Sequence, residues 1–131
     1  MQTISVKTHR RNELIDVTSQ IREVVLAEGI SDGLVAAYVP HTTAAITINE
    51  NADPDVEYDL LESLGKLVPA GLSQYRHAEG NSDAHVKASL IGSSVTVLVE
   101  GAKLCLGTWQ GIYFCEFDGP RMRRLMVKIM R

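Results

Sequence analysis

Residues 2–8 alternate, with Ile4 and Val6 set against Thr3, Ser5 and Lys7. That is the period of a strand with one face buried. His9-Arg10-Arg11-Asn12 reads as a turn, and Glu13 to Val17 as a second short strand that pairs back. From Thr18 the period lengthens. Ile21, Val24, Val25 and Glu28 mark one stripe at three-and-four spacing, with polar residues behind it, which predicts a helix. Asp16 or Thr18 offers a capping oxygen, and Gly29 a left-handed stop. Leu34 to Ile48 is rich in Val, Ile and Thr and reads as strand. Pro40 has no N–H to give a central ladder, so the run divides into strands over 33–39 and 42–49.

Asp53-Pro54-Asp55 opens a second helix. Asp53 caps it, Pro54 suits its first position, and Asp55 and Glu57 sit at the positive end of its dipole. Val56, Leu60, Leu61 and Leu64 face inward, and Gly65 ends it. Leu67 to Leu72, with Pro69 and Gly71, is a connecting loop. A third helix begins at Asn81 or Ser82, packs through Ala84, Ala88, Leu90 and Ile91, and stops at Gly92. Ser94 to Glu100 is a strand. Leu104 to Glu116 holds a strand pair or hairpin bent at Gly107 and Gly111. Asp118-Gly119-Pro120 turns, and Met122 to Met130 is the last strand. Several strands are sequential, so the order argues a mixed or antiparallel α+β fold rather than a doubly wound sheet.

Composition narrows the function classes. The chain has 131 residues, the size of one domain, and we treat 1–131 as a single unit. Its formal net charge of −3 lacks the basic footprint of a nucleic-acid binder. Arg121, Arg123, Arg124, Lys128 and Arg131 do cluster, as a solvated strand face or as an anion or subunit contact. No apolar run approaches the roughly 20 residues of a membrane span, and no signal-peptide core opens the chain. Cys105 and Cys115 each sit in an apolar run and read as small core residues. These features fit a cytoplasmic protein.

Tyr75 to Lys87 is where chemistry is expected. It is polar between apolar flanks, and holds His77, Glu79, Asn81, Asp83 and His85. His41 lies at the break between two strands and can join it from across the fold. Three imidazoles and a water make an open metal site, although no short-range metal motif is present. The alternative is a structural role for at least one of these histidines. Glu79, Asp83, Asn81 and Glu50 are candidate orienting or proton-moving groups; helix capping and solvation are the plainer readings. The helix start after Gly80-Asn81-Ser82 also suits an anion, with Arg76, Lys87 and Arg121 as helpers. Gly107-Thr108-Trp109-Gln110-Gly111 carries the sole tryptophan. Trp109 either stacks on a ligand ring or is buried with its indole N–H satisfied; Gln110 could hydrogen-bond a heterocycle.

Four runs together carry a family resemblance: His41-Thr-Thr-Ala-Ala-Ile-Thr-Ile-Asn-Glu50, His77-Ala-Glu-Gly-Asn-Ser-Asp-Ala-His85-Val-Lys-Ala-Ser-Leu-Ile-Gly92, Leu106-Gly-Thr-Trp-Gln110 and Glu116-Phe-Asp-Gly-Pro-Arg121. They resemble the YjbQ-like family, also known as the secondary thiamine-phosphate synthase family. The resemblance spans nearly the whole chain. It implies a compact α+β domain with a β-sandwich-like core, a homotrimer, and a metal site at the histidines corresponding to His41, His77 and His85. It also implies weak synthesis of thiamine phosphate from a pyrimidine diphosphate and a thiazole phosphate.

The reading that results is a transferase-like enzyme acting on a phosphorylated small heterocycle. A divalent metal, zinc or alternatively magnesium, would be held by His41, His77 and His85. Catalytic roles would fall to His41, Glu79, Asp83, Trp109 and Gln110: Glu79 or Asp83 orienting ligands or moving a proton, Trp109 and Gln110 contacting the ring. The alternative is a trimeric module that binds a metal or small ligand without turnover.

Overall fold

The computed structural model describes residues 1–131. Its elements run β1 (Gln2–Lys7), β2 (Glu13–Asp16), α1 (Thr18–Glu28), β3 (Gly33–Tyr38), β4 (Ala44–Glu50), α2 (Pro54–Leu67), α3 (Ser82–Ile91), β5 (Ser94–Glu100), β6 (Lys103–Leu104), β7 (Gln110–Glu116) and β8 (Met122–Met130). They form two antiparallel sheets, ordered β1-β8-β3-β5-β6 and β2-β7-β4. The expected α+β class with three helices is the observed one. No helix is long and apolar enough to cross a membrane.

Strand alternation builds the core. From the larger sheet, Val35, Ala37, Val97, Val99, Leu125 and Val127 turn inward. Ile46, Ile112 and Phe114 meet them from the smaller sheet, and Ile21, Val24 and Val25 of α1 close the side. The opposite face of the smaller sheet is covered too. Ala45, Tyr113 and Cys115 pack there against Ala84 and Ala88 of α3, with Leu60, Leu61 and Leu64 of α2 over them. Side chains at successive strand positions point to opposite faces, so β7 serves both layers: Ile112, Phe114 and Glu116 face the sandwich, Tyr113 and Cys115 the helices.

Several expectations need correction. Gly65 does not end α2, which runs to Leu67 and closes with the Val68 amide donating to the Leu64 carbonyl. A lone glycine weakens a helix without forbidding it. Glu28, placed on the inward stripe, is exposed, and its carboxylate lies near Arg131. Leu90 points to solvent, 63% exposed, while Ala84 and Ala88 do the packing. Leu104–Glu116 is not a hairpin: β6 adds to β5 at the edge of the larger sheet and β7 is the centre of the smaller one. Cys105 is exposed just beyond β6, whereas Cys115 is buried. Asn81 occupies the cap position of α3 without a capping side-chain bond.

The basic C-terminal face also divides. Arg121, Arg124, Lys128 and Arg131 are exposed, but Arg123 is 3% exposed and faces the sandwich interior. It meets Glu116, equally interior, from the opposite sheet. Arg123 Nε donates to Glu116 Oε1 at 2.9 Å and its Nη2 to Oε2. Nη2 also donates to Thr43 Oγ1 at 2.8 Å, and Thr8 Oγ1 donates to Glu116 Oε1 at 2.8 Å. Such a pair holds its place only with its remaining lone pairs and protons satisfied, and here Thr8, Thr43 and the Asp118 amide satisfy them. This ion pair closes the end of the sandwich beside His41.

Candidate functional site

His41 sits in the link between β3 and β4. The β3–β8 ladder ends at Tyr38 opposite Met126, leaving the Arg124 amide without a partner on that side. The imidazole takes it: Arg124 N–H donates to His41 Nε2 at 3.0 Å. Loss of hydration and the positive charges of Arg123 and Arg124 lower the His41 pKa from the ordinary 6.5, so the ring is neutral at pH 7. With Nε2 accepting, the proton of the neutral ring is assigned to Nδ1.

His85 comes from α3. It and Ser89 lie one turn apart on a face of the helix that turns toward the start of β4. His41, Thr42 and Ala44 on one side and His85, Ser89 and Ser93 on the other line a cleft of about 470 Å³. Ser89 Oγ donates to the His85 carbonyl at 3.0 Å. The loop before α3 brings His77 edge-on to His85, ring centroids 5.2 Å apart and planes at 86°. Glu79 Oε2 lies 3.8 Å from His77 Nε2, at the solvent edge. An adjoining hollow shares His41 and Thr42 and adds Arg121 and Arg123. The structure thus gathers His41, His77, His85 and Glu79 on one side of the molecule, with hydroxyls and arginines around them.

The other candidates lie elsewhere. Asp83 is two residues before His85, about 200° around the helix. It is 1% exposed and bound to Arg11 Nη2 at 2.9 Å and Lys87 Nζ at 3.3 Å. Those bonds tie α3 to the β1–β2 turn and turn Asp83 away from the cleft. Trp109 and Gln110 are at the far end of the β4–β7 ladder, where Gln110 pairs with Glu50 and Glu116 with Ala44. Six residues of strand put them about 20 Å from His41. Trp109 is 61% exposed, so its indole is not a core group, and Gln110 Oε1 accepts from the Gly107 amide at 2.8 Å.

Sequence reasoning undervalued Arg123 and Glu116. Their signal was present as charges at inward positions of two strongly alternating strands. Asn81 Nδ2 donates to Asp118 Oδ2 at 2.8 Å, and Arg121 binds the same oxygen at 3.0 Å, linking the start of α3 to the β7–β8 turn.

The donors fit a metal ion in part. His77 and His85 are placed as two imidazoles on one ion could be, but Nε2 of His41 is occupied by Arg124, and no three His, Cys, Asp or Glu side chains converge as a ligand set.

Comparison with known proteins places the chain in a family. The family model described as UPF0047 protein YjbQ-like matches residues 2–131. UPF0047 protein YugU of Bacillus subtilis is 50% identical over 130 residues, covering 99% of this chain and 98% of its own. A UPF0047 protein of Archaeoglobus fulgidus is 50% identical over 129 residues, covering 97% and 98%. The crystal structure of a YjbQ/UPF0047 family protein from Clostridium acetobutylicum superposes with a TM-score of 0.96 at 53% identity, over 99% of this chain and 100% of that one. A conserved protein of Thermus thermophilus gives 0.93 at 39% identity, with the same coverage. Matched in sequence and fold along nearly its whole length, the chain belongs to the UPF0047 protein YjbQ-like family.

Proposed function

We propose that this protein is an enzyme acting on a phosphorylated small heterocycle in the cleft between His41 and His85. The observation that carries the reading is the convergence of those two imidazoles, from elements far apart in sequence, on one concave surface rimmed by hydroxyls. Arg121 in the adjoining hollow attracts a phosphate, and neutral His41 offers its Nδ1–H to a phosphate oxygen. With His41 thus a donor and His77 and His85 the candidate metal ligands, proton acceptance falls to Glu79, whose carboxylate stands beside His77. Positioned acid–base groups of this kind contribute about 10²–10⁴-fold to a rate.

A divalent metal belongs to the proposal through His77 and His85; two imidazoles favour zinc over magnesium. Such an ion, when bound, neutralises a diphosphate leaving group or polarises water. His41 joins the ligand set only by giving up the Arg124 amide. The transferase form of the proposal is thiamine-phosphate synthesis from a pyrimidine diphosphate and a thiazole phosphate, in a homotrimer. Within one chain Trp109 and Gln110 are too far from His41 to contact the same ring, so their part in that form requires a neighbouring subunit.

The test is turnover. Untagged protein is assayed with phosphate esters, diphosphates and the thiamine precursor pair, with and without added zinc or magnesium. Product formation abolished in the His41→Ala and His85→Ala variants supports the enzyme. Ligand or metal uptake with no turnover of any of them supports the non-catalytic binding module instead. Sedimentation equilibrium decides the trimer.

A further inference from the structure

We infer that the protein has a second small-anion site, on the side of α3 away from the histidines, built around the buried ammonium of Lys87. Lys87 is two residues beyond His85, again about 200° around the helix. It is 4% exposed, yet it lines a cavity of about 410 Å³ between α2, α3 and the β1–β2 turn. A fully buried lysine is rare unless paired, and this one is paired incompletely. Its ammonium has three donors. Asn12 Oδ1 accepts one at 3.1 Å and Asp83 Oδ2 a second at 3.3 Å; the Phe117 ring lies 5.9 Å from Nζ and adds a weak cation–π contact, but the third proton has no hydrogen-bond acceptor. The second contact is also weakened in charge, because Arg11 holds the other oxygen of the same carboxylate at 2.9 Å. Asp83 therefore serves two cations.

The rest of the wall adds to the imbalance. Arg10 and Lys66 line the same cavity, with Glu62 the sole carboxylate on it. Neither Arg10 nor Lys66 is in an ion pair. Three cations on three separate elements thus face one space against one exposed acid. Tyr58 and Leu61 supply an aromatic and an aliphatic surface beside them. The chemistry that matches is a small phosphate-bearing molecule: its oxygens take the third Lys87 proton and the charges of Arg10 and Lys66, and its carbon skeleton lies against Tyr58 and Leu61. This site shares no residue with the His41 cleft, so it stands whether or not the proposed enzyme activity does.

Inorganic phosphate is the probe, titrated at constant ionic strength into the full-length protein and followed by amide chemical shifts. The expected result is saturable shifts at residues 10–12, 62–66 and 87. Because removal of Lys87 would leave Asp83 buried with one partner fewer, the variant is Arg10→Gln/Lys66→Gln, whose side chains are exposed. It should fold as the parent does and bind phosphate at least about tenfold more weakly, since two cations are lost and one charge-assisted hydrogen bond alone is worth about tenfold. Shifts confined to His85, Ser89 and Ser93, linear shifts without saturation, or unchanged affinity in the double variant would overturn the assignment.

Discussion

The Arg124 amide donates to His41 Nε2 at 3.0 Å, so an imidazole continues a strand ladder where the strand has ended. One bond thereby sets the tautomer of His41, aims the ring and ties the cleft to β8. His41 lies against Arg123 and Arg124 and is partly dehydrated, which lowers its pKa from 6.5. Its ring resonance should titrate with a midpoint below 6.5. Folded His41 binds its proton more weakly than the unfolded chain does, so its effect on stability is nil above the ordinary value and destabilising as pH falls below it. Under the proposed function, His41→Ala should cost about 10²-fold or more in activity and, with the Arg124 amide left to solvent, only about 1 kcal/mol of stability.

The buried pair Glu116–Arg123 should behave differently. Arg123→Met leaves the Glu116 carboxylate uncompensated between the sheets, and about 3–5 kcal/mol of stability should be lost. Glu116→Met combined with Arg123→Met should recover much of that loss. Denaturant unfolding of the two single variants and the double variant measures the coupling directly.

Acid should unfold the protein through the same group. Burial works against ionisation of Glu116, but hydrogen bonds from Arg123, the Asp118 amide and Thr8, with the Arg123 charge, outweigh it and hold its pKa below the ordinary 4.5. Asp16 is likewise lowered from 3.8: burial opposes ionisation, while Thr18, Asn51 and Arg22 favour it. In both cases the unfolded carboxyl takes up its proton first as pH falls. The stabilisation is complete above the ordinary carboxylate range and disappears as pH drops through the folded values. An Asp16→Asn variant should show a shallower loss of stability over that window than the parent.

The two cysteines should separate in a thiol-reactivity assay. Cys115 is 1% exposed, and burial pushes its thiol up to about 12; Cys105 is exposed. Since thiolate fraction and access control the reaction, native protein should consume one equivalent of a disulfide reagent and denatured protein two. Cys105→Ser should abolish the native reaction.

Gly111 offers a test of the Trp109 end. A Cβ there would lie 2.7 Å from Asn51 Cγ, against the side chain that donates to Asp16 Oδ2 at 3.0 Å. Gly111→Ala should displace Asn51 and cost about 1–3 kcal/mol, with the amide resonances of Trp109 and Asn51 shifting together, since their backbones are hydrogen-bonded at 3.0 Å.

The sequence by itself determined most of the elements, because they are written in a local period: Ile4 and Val6 for β1, Ile21, Val24 and Val25 for α1, Val95, Val97 and Val99 for β5; the segment 104–116 has no such clean period, and its division between two sheets was decided by pairing. It also determined that the polar run from Tyr75 to Lys87 matters, since such a run has little to bury. Tertiary structure decided what that run can do. It delivered His41 to His85 because β3 stops short of Arg124, leaving an amide for the imidazole. It separated Asp83 from His85, two residues away, because a helix turns successive residues by about 100°, and this one is packed on the side that carries Asp83 and Lys87. It set Trp109 and Gln110 at the opposite end of a seven-residue strand. It buried Arg123, whose neighbours in sequence are exposed, because the inward place opposite it on the other sheet is occupied by Glu116. Local spacing encodes which face a residue takes; which partner waits on that face is a property of chain pairing across more than a hundred residues, as from Thr8 to Glu116.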